Sequence, residues 1–203
     1  MSISLENTPR KYLIDSKTLL NYQNRALFCI SILSTITCIH YDYTKSPTMI
    51  IACLNIISVY CCIDIFLIKE ISSKLHHLFG IFLVIYMYKT NVSPSDFPLI
   101  GYIFCKTEVS SIFLVLKYWL DRKTVIYKIN LAAFYLSFLK MRVIDFYSIV
   151  SPDSAIYIVD KKYSNNTYMS YMLIGSMYGF YALYIYWFIQ INMVLYKTIN
   201  AKR

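Results

Sequence analysis

Six apolar runs parted by short polar segments constrain this chain more than any other feature: residues 26–40, 48–68, 75–88, 97–120, 129–150 and 168–196. A membrane-spanning helix needs about 20 mostly apolar residues, because each backbone N–H and C=O must find its partner inside the segment once water is gone. Runs 26–40, 48–68 and 168–196 are the clearest. Run 97–120 is long enough but carries Lys106 and Glu108. Run 75–88 would reach only about 21 Å as a helix, and run 129–150 is interrupted by Lys140, Arg142 and Asp145. The pattern predicts an all-α fold, a multi-pass transmembrane helix bundle of about six spans. With 58% hydrophobic and 15% charged residues, the chain is too apolar for an ordinary soluble domain.

Charge placement tests that reading, since Lys and Arg accumulate on the cytosolic side of membrane proteins. Six spans put both termini on one face, which then collects thirteen cations: Arg10, Lys11, Lys17, Arg25, Lys69, Lys74, Lys117, Arg122, Lys123, Lys128, Lys197, Lys202 and Arg203. The opposite face receives Lys45, Lys89, Lys161 and Lys162 alone. The expected topology therefore has both termini cytosolic. Residues 1–22 read as a cytosolic tail, 23–197 as one transmembrane domain and 198–203 as a short cytosolic tail. The sequons at Asn91 and Asn165 fall in the loops on the far side, where N-glycosylation occurs, although Pro94 weakens the first. The polar N-terminal stretch holds no hydrophobic segment ahead of a small-residue cleavage site, so insertion is expected through the first span. Topology accounts for the net charge of +9, and no basic run is interleaved with aromatics in the manner of a nucleic-acid surface.

Six cysteines (Cys29, Cys38, Cys53, Cys61, Cys62, Cys105) all lie in apolar runs without paired loop spacing, and read as reduced packing residues rather than a disulfide framework or metal site. The ionisable groups inside the runs are more informative, because charges at membrane depth are costly and point to function. Asp64 lies near the end of the second run, and His76-His77 open the third after a short turn. That hairpin brings the three to similar depth. Adjacent helical residues point about 100° apart, so one histidine can meet Asp64 while the other faces a different helix. Such a pair suits a general base or an acyl-accepting nucleophile, and suits equally a hydrogen bond that ties two helix ends.

Glu108 and Arg142 sit at depths matched to within about 3 Å in their runs, so they should pair. Arg142 and Asp145 share an α-helical face at i, i+3, which extends the expected cluster to Glu108–Arg142–Asp145. It either holds helices together or grips a lipid headgroup or the phosphates of an acyl carrier. Lys106 and Lys140 point away from Glu108 and Arg142 and are expected to reach lipid headgroups. Gly175 and Gly179 have the small-residue spacing that permits internal packing or a homodimer. The tyrosines around them read as packing and interfacial anchors.

The order Asp64, His76-His77, Glu108-Val109-Ser110 and Arg142 resembles the TLC domain, shared by translocating-chain-associating proteins, ceramide synthases and a set of poorly characterised small membrane proteins. The likeness covers roughly residues 55–147, and the Glu-x-Ser step is most similar to the small TLC proteins, including those of giant DNA viruses. The resemblance implies a helical bundle around a lipid cavity in an endoplasmic-reticulum-type membrane. It also implies catalytic roles for His76, His77 and Asp64, and substrate binding by Glu108, Ser110 and Arg142. Departures matter as well. No histidine follows His77, so the longer ceramide synthase signature is incomplete, and Val115 and Lys117 stand where small TLC proteins carry Asn and Arg. The expectation is a protein that binds, senses or remodels membrane lipids. Its sharper form is an acyltransferase with acyl-CoA as co-substrate, and its rival is a non-enzymatic partner of cargo or of the translocon. No cofactor is evident in the residues.

Overall fold

A computed structural model describes residues 16–90, 98–151, 154–163 and 167–200. All regular structure among them is helical. In order, the helices are α1 (Ser16–Thr44), α2 (Thr48–Leu67), α3 (Ile71–Thr90), α4 (Pro98–Trp119), α5 (Val125–Phe138), a π-helical turn (Leu139–Ile144), α6 (Asp145–Val150), α7 (Ala155–Tyr163) and α8 (Thr167–Asn200). Among the described residues, three stretches are long and apolar enough to cross a membrane: Leu20–Thr44, Thr48–Leu67 and Thr167–Lys197. The stretch Ile71–Met87 is apolar but shorter. These helices mark a membrane protein.

Several helices outrun the apolar runs that announce them. Polar residues Ser72, Ser73 and Lys74 wind into α3, so it has 20 residues and a length of about 30 Å rather than 21 Å. Glu70 holds that first turn, accepting hydrogen bonds from Ser72 Oγ (2.6 Å) and Ser73 Oγ (3.1 Å). α1 begins at Ser16, inside the segment expected to be tail, and α8 ends at Asn200, beyond residue 197. α5 starts where Thr124 Oγ1 accepts from the Tyr127 N–H, a side-chain cap of the usual kind. Helix α7 lies between the last two apolar runs. It buries Ile156 and Val159, three residues apart, against the main core.

The long helices form a ring. α1 packs on α2, α2 on α3, α3 on α8, α8 on the π turn, α5 on α4, and α4 back on α1. One half of the ring is filled: Phe104 meets Phe146 and Phe180 edge-to-face, Phe146 meets Tyr184 likewise, and Phe146, Phe180 and Tyr184 join Tyr86, Leu173 and Met177 in the core. α2 also reaches α4 directly across the ring, through a smaller cluster of Cys38, Ile50, Cys53 and Cys105. All six cysteines are free thiols. Toward the other end, marked by Gln23, Ile68, Lys117 and Gln190, the helices leave a cavity of about 500 Å³.

Gly179 and Gly175 have separate fates. A Cβ at Gly179 would lie 2.5 Å from the ring of Phe79, so α8 needs glycine there to seat α3. Gly175 has nothing within 4 Å. Within the chain the two glycines do not share one helix contact.

Candidate functional site

The polar residues singled out in the sequence gather where the cavity meets the filled half of the ring. Asp64, on the last full turn of α2, is buried and takes three partners: Gln23 Nε2 donates to Oδ1 (2.8 Å), Tyr60 OH donates to Oδ2 (3.0 Å), and His77 Nε2 lies 3.3 Å from Oδ2. Tyr60 sits one turn before Asp64 on the same face. Gln23 comes from α1, so a single carboxylate joins three helices. With its Nε2 turned to Asp64, His77 keeps Nδ1 buried and without a partner among the described residues.

His76 turns the other way. Its Nε2 lies 4.0 Å from Glu108 Oε1 on α4, and its ring stands edge-on to Phe180 at 4.9 Å, with Trp187 at 5.4 Å and His77 at 5.6 Å. His76 Nδ1 is likewise buried and unpartnered among the described residues. The two expected groups, Asp64 with a histidine and Glu108 with Arg142, are therefore one array, joined through His76. Two carboxylates from different helices each face one of two adjacent histidines.

Arg142 closes the inner end. Its Nε donates to Ser110 Oγ (2.9 Å) and to the Thr107 carbonyl (3.2 Å), and its Nη2 donates to Ser111 Oγ (2.8 Å). Glu108 Oε2 is 3.7 Å from Nη2 and accepts from Ser111 Oγ at 3.1 Å. The guanidinium also stacks between Phe138 and Tyr184, with centroid distances of 5.4 and 5.1 Å. A buried guanidinium demands such a set, since each lost partner would leave a charged donor in an apolar surround. Ser110 lies in this set, its Oγ accepting from Arg142 and donating to the Thr107 carbonyl. Thr107, Ser111, Tyr60 and Gln23 were missed. Ser111 and Tyr60 lie one helical turn from Glu108 and Asp64, a signal that spacing alone could have supplied. Nothing local points to Gln23.

Asp145 is a correction. It does not join Glu108 and Arg142, and instead takes Lys106 Nζ at 2.7 Å together with Lys140 Nζ. The cause is the π turn, in which the Asp145 N–H bonds back to the Lys140 carbonyl, five residues earlier. That wider turn shifts Asp145 away from the α-helical face it would share with Arg142. An unbroken α-helix would set Asp145 beside Glu108 and strand Lys106 on the far side of α4. Lys106 and Lys140 consequently meet a carboxylate, where headgroup contacts were expected. Asn91 and Asn165 lie outside the described residues. Among the described residues no group of three or more His, Cys, Asp and Glu side chains is disposed to hold a metal ion.

Comparison with protein-family models, curated proteins and solved structures returns no match to this chain. Its class rests on its own features: a helical membrane protein with a buried polar array lining a cavity between its helices.

Proposed function

We propose that this protein binds a membrane amphiphile in the cavity, with the chain of the ligand along the apolar walls and its polar part at the His76–His77 array. The proposal includes a TLC-type bundle of six spans in an endoplasmic-reticulum-type membrane, both termini cytosolic and the cavity mouth facing the cytosol. The array itself carries the reading. Two buried imidazole nitrogens without partners are expensive in an apolar surround, and a bound hydroxyl or carbonyl-bearing head relieves that cost. The volume, about 500 Å³, falls in the range of ordinary ligand cavities.

A second reading, acyl transfer, is favoured by the Asp64–His77 contact. A carboxylate at Nε2 fixes the tautomer that leaves Nδ1 as the basic nitrogen. In that reaction His77 Nδ1 removes the proton from an acceptor hydroxyl as its oxygen attacks the carbonyl of an acyl thioester such as acyl-CoA. The C–O bond forms, the C–S bond breaks, and His77 returns the proton to the leaving thiolate. The products are an ester and a free thiol.

Mass spectrometry of lipid co-purified with the wild type and with His77→Ala separates these readings. Binding alone predicts one enriched lipid class in both, reduced in the variant. Acyl transfer predicts in addition that wild-type membranes supplied with labelled acyl thioester yield a labelled ester, and that His77→Ala yields none. Recovery of only bulk membrane lipid from the wild type rules out the cavity as a binding site.

A further inference from the structure

We propose that the seam between α5 and α8 is a lateral portal, latched by Tyr135 and Asn192, through which the hydrocarbon chain of the amphiphile passes between the membrane and the cavity. This rests on the binding proposed above and names its route. Both helices line the cavity, α5 with Phe134 and Phe138 and α8 with Trp187, Gln190 and Ile191. α5 is packed along α4, but it reaches α8 through side chains. Phe138 meets Tyr184 at 6.5 Å between ring centroids; one turn nearer the mouth, Tyr135 meets Phe188 at 5.6 Å and donates from its OH to Asn192 Oδ1 at 3.2 Å.

Helical register explains the latch. Phe134 and Phe138 are four residues apart and face inward, which turns Tyr135 about 100° aside, toward α8. Trp187 and Ile191 repeat that inward spacing, and Phe188 and Asn192, each one residue on, turn to meet Tyr135. Asn192 is held for the purpose: its Nδ2 donates to the Phe188 carbonyl at 2.8 Å, leaving Oδ1 for the tyrosine. On the far side of the latch, Phe188 and Asn192 also border an apolar groove on the outer face of α8, which continues past Met193 to Lys197. The latch therefore stands between two spaces, the cavity within and the groove without. Nine residues, about 13 Å, separate Phe188 from Lys197, and the exposed Ile189, Met193 and Tyr196 give the groove a surface for a lipid chain with its head beside Lys197. A chain moving inward past Tyr135 never leaves hydrocarbon. Entry by the mouth would draw it through water and past Gln23, Asn24, Glu70 and Ser73, at the full cost of exposing apolar surface. One neutral hydrogen bond and one ring contact are a small barrier by comparison.

The test uses the full-length protein in phosphatidylcholine nanodiscs, in a Trp119→Phe background so that Trp187, which lines the cavity, is the sole tryptophan reporter. The probe is dibromostearoyl glycerol, whose bromines quench Trp187 when the chain is in the cavity. Stopped-flow fluorescence reads its uptake and, on mixing with excess empty nanodiscs, its release. Tyr135→Ala removes ring and hydroxyl together and should speed uptake and release alike by about tenfold, with affinity unchanged. Tyr135→Phe keeps the ring and should speed both by about threefold. Equal acceleration in the two directions is the mark of a barrier outside the binding site, whereas a purely structural role would weaken affinity. The portal is overturned if Tyr135→Phe, unfolding at the wild-type temperature, exchanges the probe at wild-type rates, or if Tyr135→Ala changes affinity through one rate alone. Ser73→Trp narrows the mouth and should leave both rates as they are; slower exchange in that variant places the route at the mouth and overturns the portal. Absence of saturable quenching in the wild type overturns the cavity reading itself, a distinct failure.

Discussion

Two charged clusters occupy nearly the same height on α4, yet they are built on opposite principles. Glu108 and Lys106 are two residues apart, about 3 Å along the axis, and point to opposite sides. On the outer flank, Lys106 and Lys140 converge on Asp145, and the carboxylate has a cation at each oxygen. On the cavity side, Glu108 is shared between Arg142 and His76, and the array ends in two buried imidazole nitrogens without a partner among the described residues. The outer cluster pairs its charges within the chain. Under the proposed function the outer cluster is scaffold and the inner one is site.

Breaking the cation of the inner cluster should have the largest effect. Arg142→Met leaves the mostly buried Glu108 without its guanidinium and removes the donor to Ser110 Oγ and Ser111 Oγ, while the Thr107 carbonyl keeps Ser110 Oγ as a donor. A loss of about 3–5 kcal/mol is expected, seen as a large fall in thermal unfolding temperature in detergent. If Arg142→Met unfolds near the wild-type temperature, the inner cluster is less buried than its geometry says. Asp145→Asn attacks the outer cluster and should destabilise by about 1–3 kcal/mol while leaving the co-purified lipid unchanged. A changed lipid profile in that variant would erase the distinction between scaffold and site.

The α3–α8 wall that presents His76 offers a finer probe. Gly179→Ala pushes a methyl against Phe79 and should cost about 1–2 kcal/mol, whereas Gly175→Ala meets nothing and should be neutral or slightly stabilising through helix propensity. Equal unfolding temperatures for the two variants would refute the close approach of Phe79. Among the changes at the array the smallest effect on stability belongs to Asp64→Asn, which retains the hydrogen-bonding shape and should cost about 1 kcal/mol. Its consequence lies in the chemistry: labelled ester should be lost although the protein accumulates and still recovers lipid. Unimpaired ester formation would leave His77 without need of its carboxylate.

Much of this arrangement was legible before any coordinates. Asp64 meets a histidine because a short turn sets the ends of α2 and α3 side by side, and local geometry of that kind follows from sequence. Glu108 and Arg142 pair because matched depth and the cost of lone charges leave few alternatives. The bridge between those pairs was not legible, since it depends on how α3 leans toward α4, a tertiary relation that no spacing encodes. Gln23, forty-one residues from Asp64, escaped for the same reason. Asp145 misled because i, i+3 geometry assumes an α-helix, and no proline or glycine between Leu139 and Ile144 announces the departure. Helix α7 hid because its apolar start, Ala155 to Val159, is only five residues long before Asp160, Lys161 and Lys162, too short to read as a span.

The π turn behaves as a vernier between two scales. A helix that kept one pitch throughout would have to choose which wall to serve, offering Arg142 inward or Asp145 outward but not each in its proper direction. One wider turn lets a single rod satisfy angular demands that no uniform winding meets. Length change is therefore best absorbed there: deleting one residue between Lys140 and Asp145 would turn the five-residue bond into a four-residue one and leave the helix beyond in place, whereas a deletion within α5 would rotate everything after it.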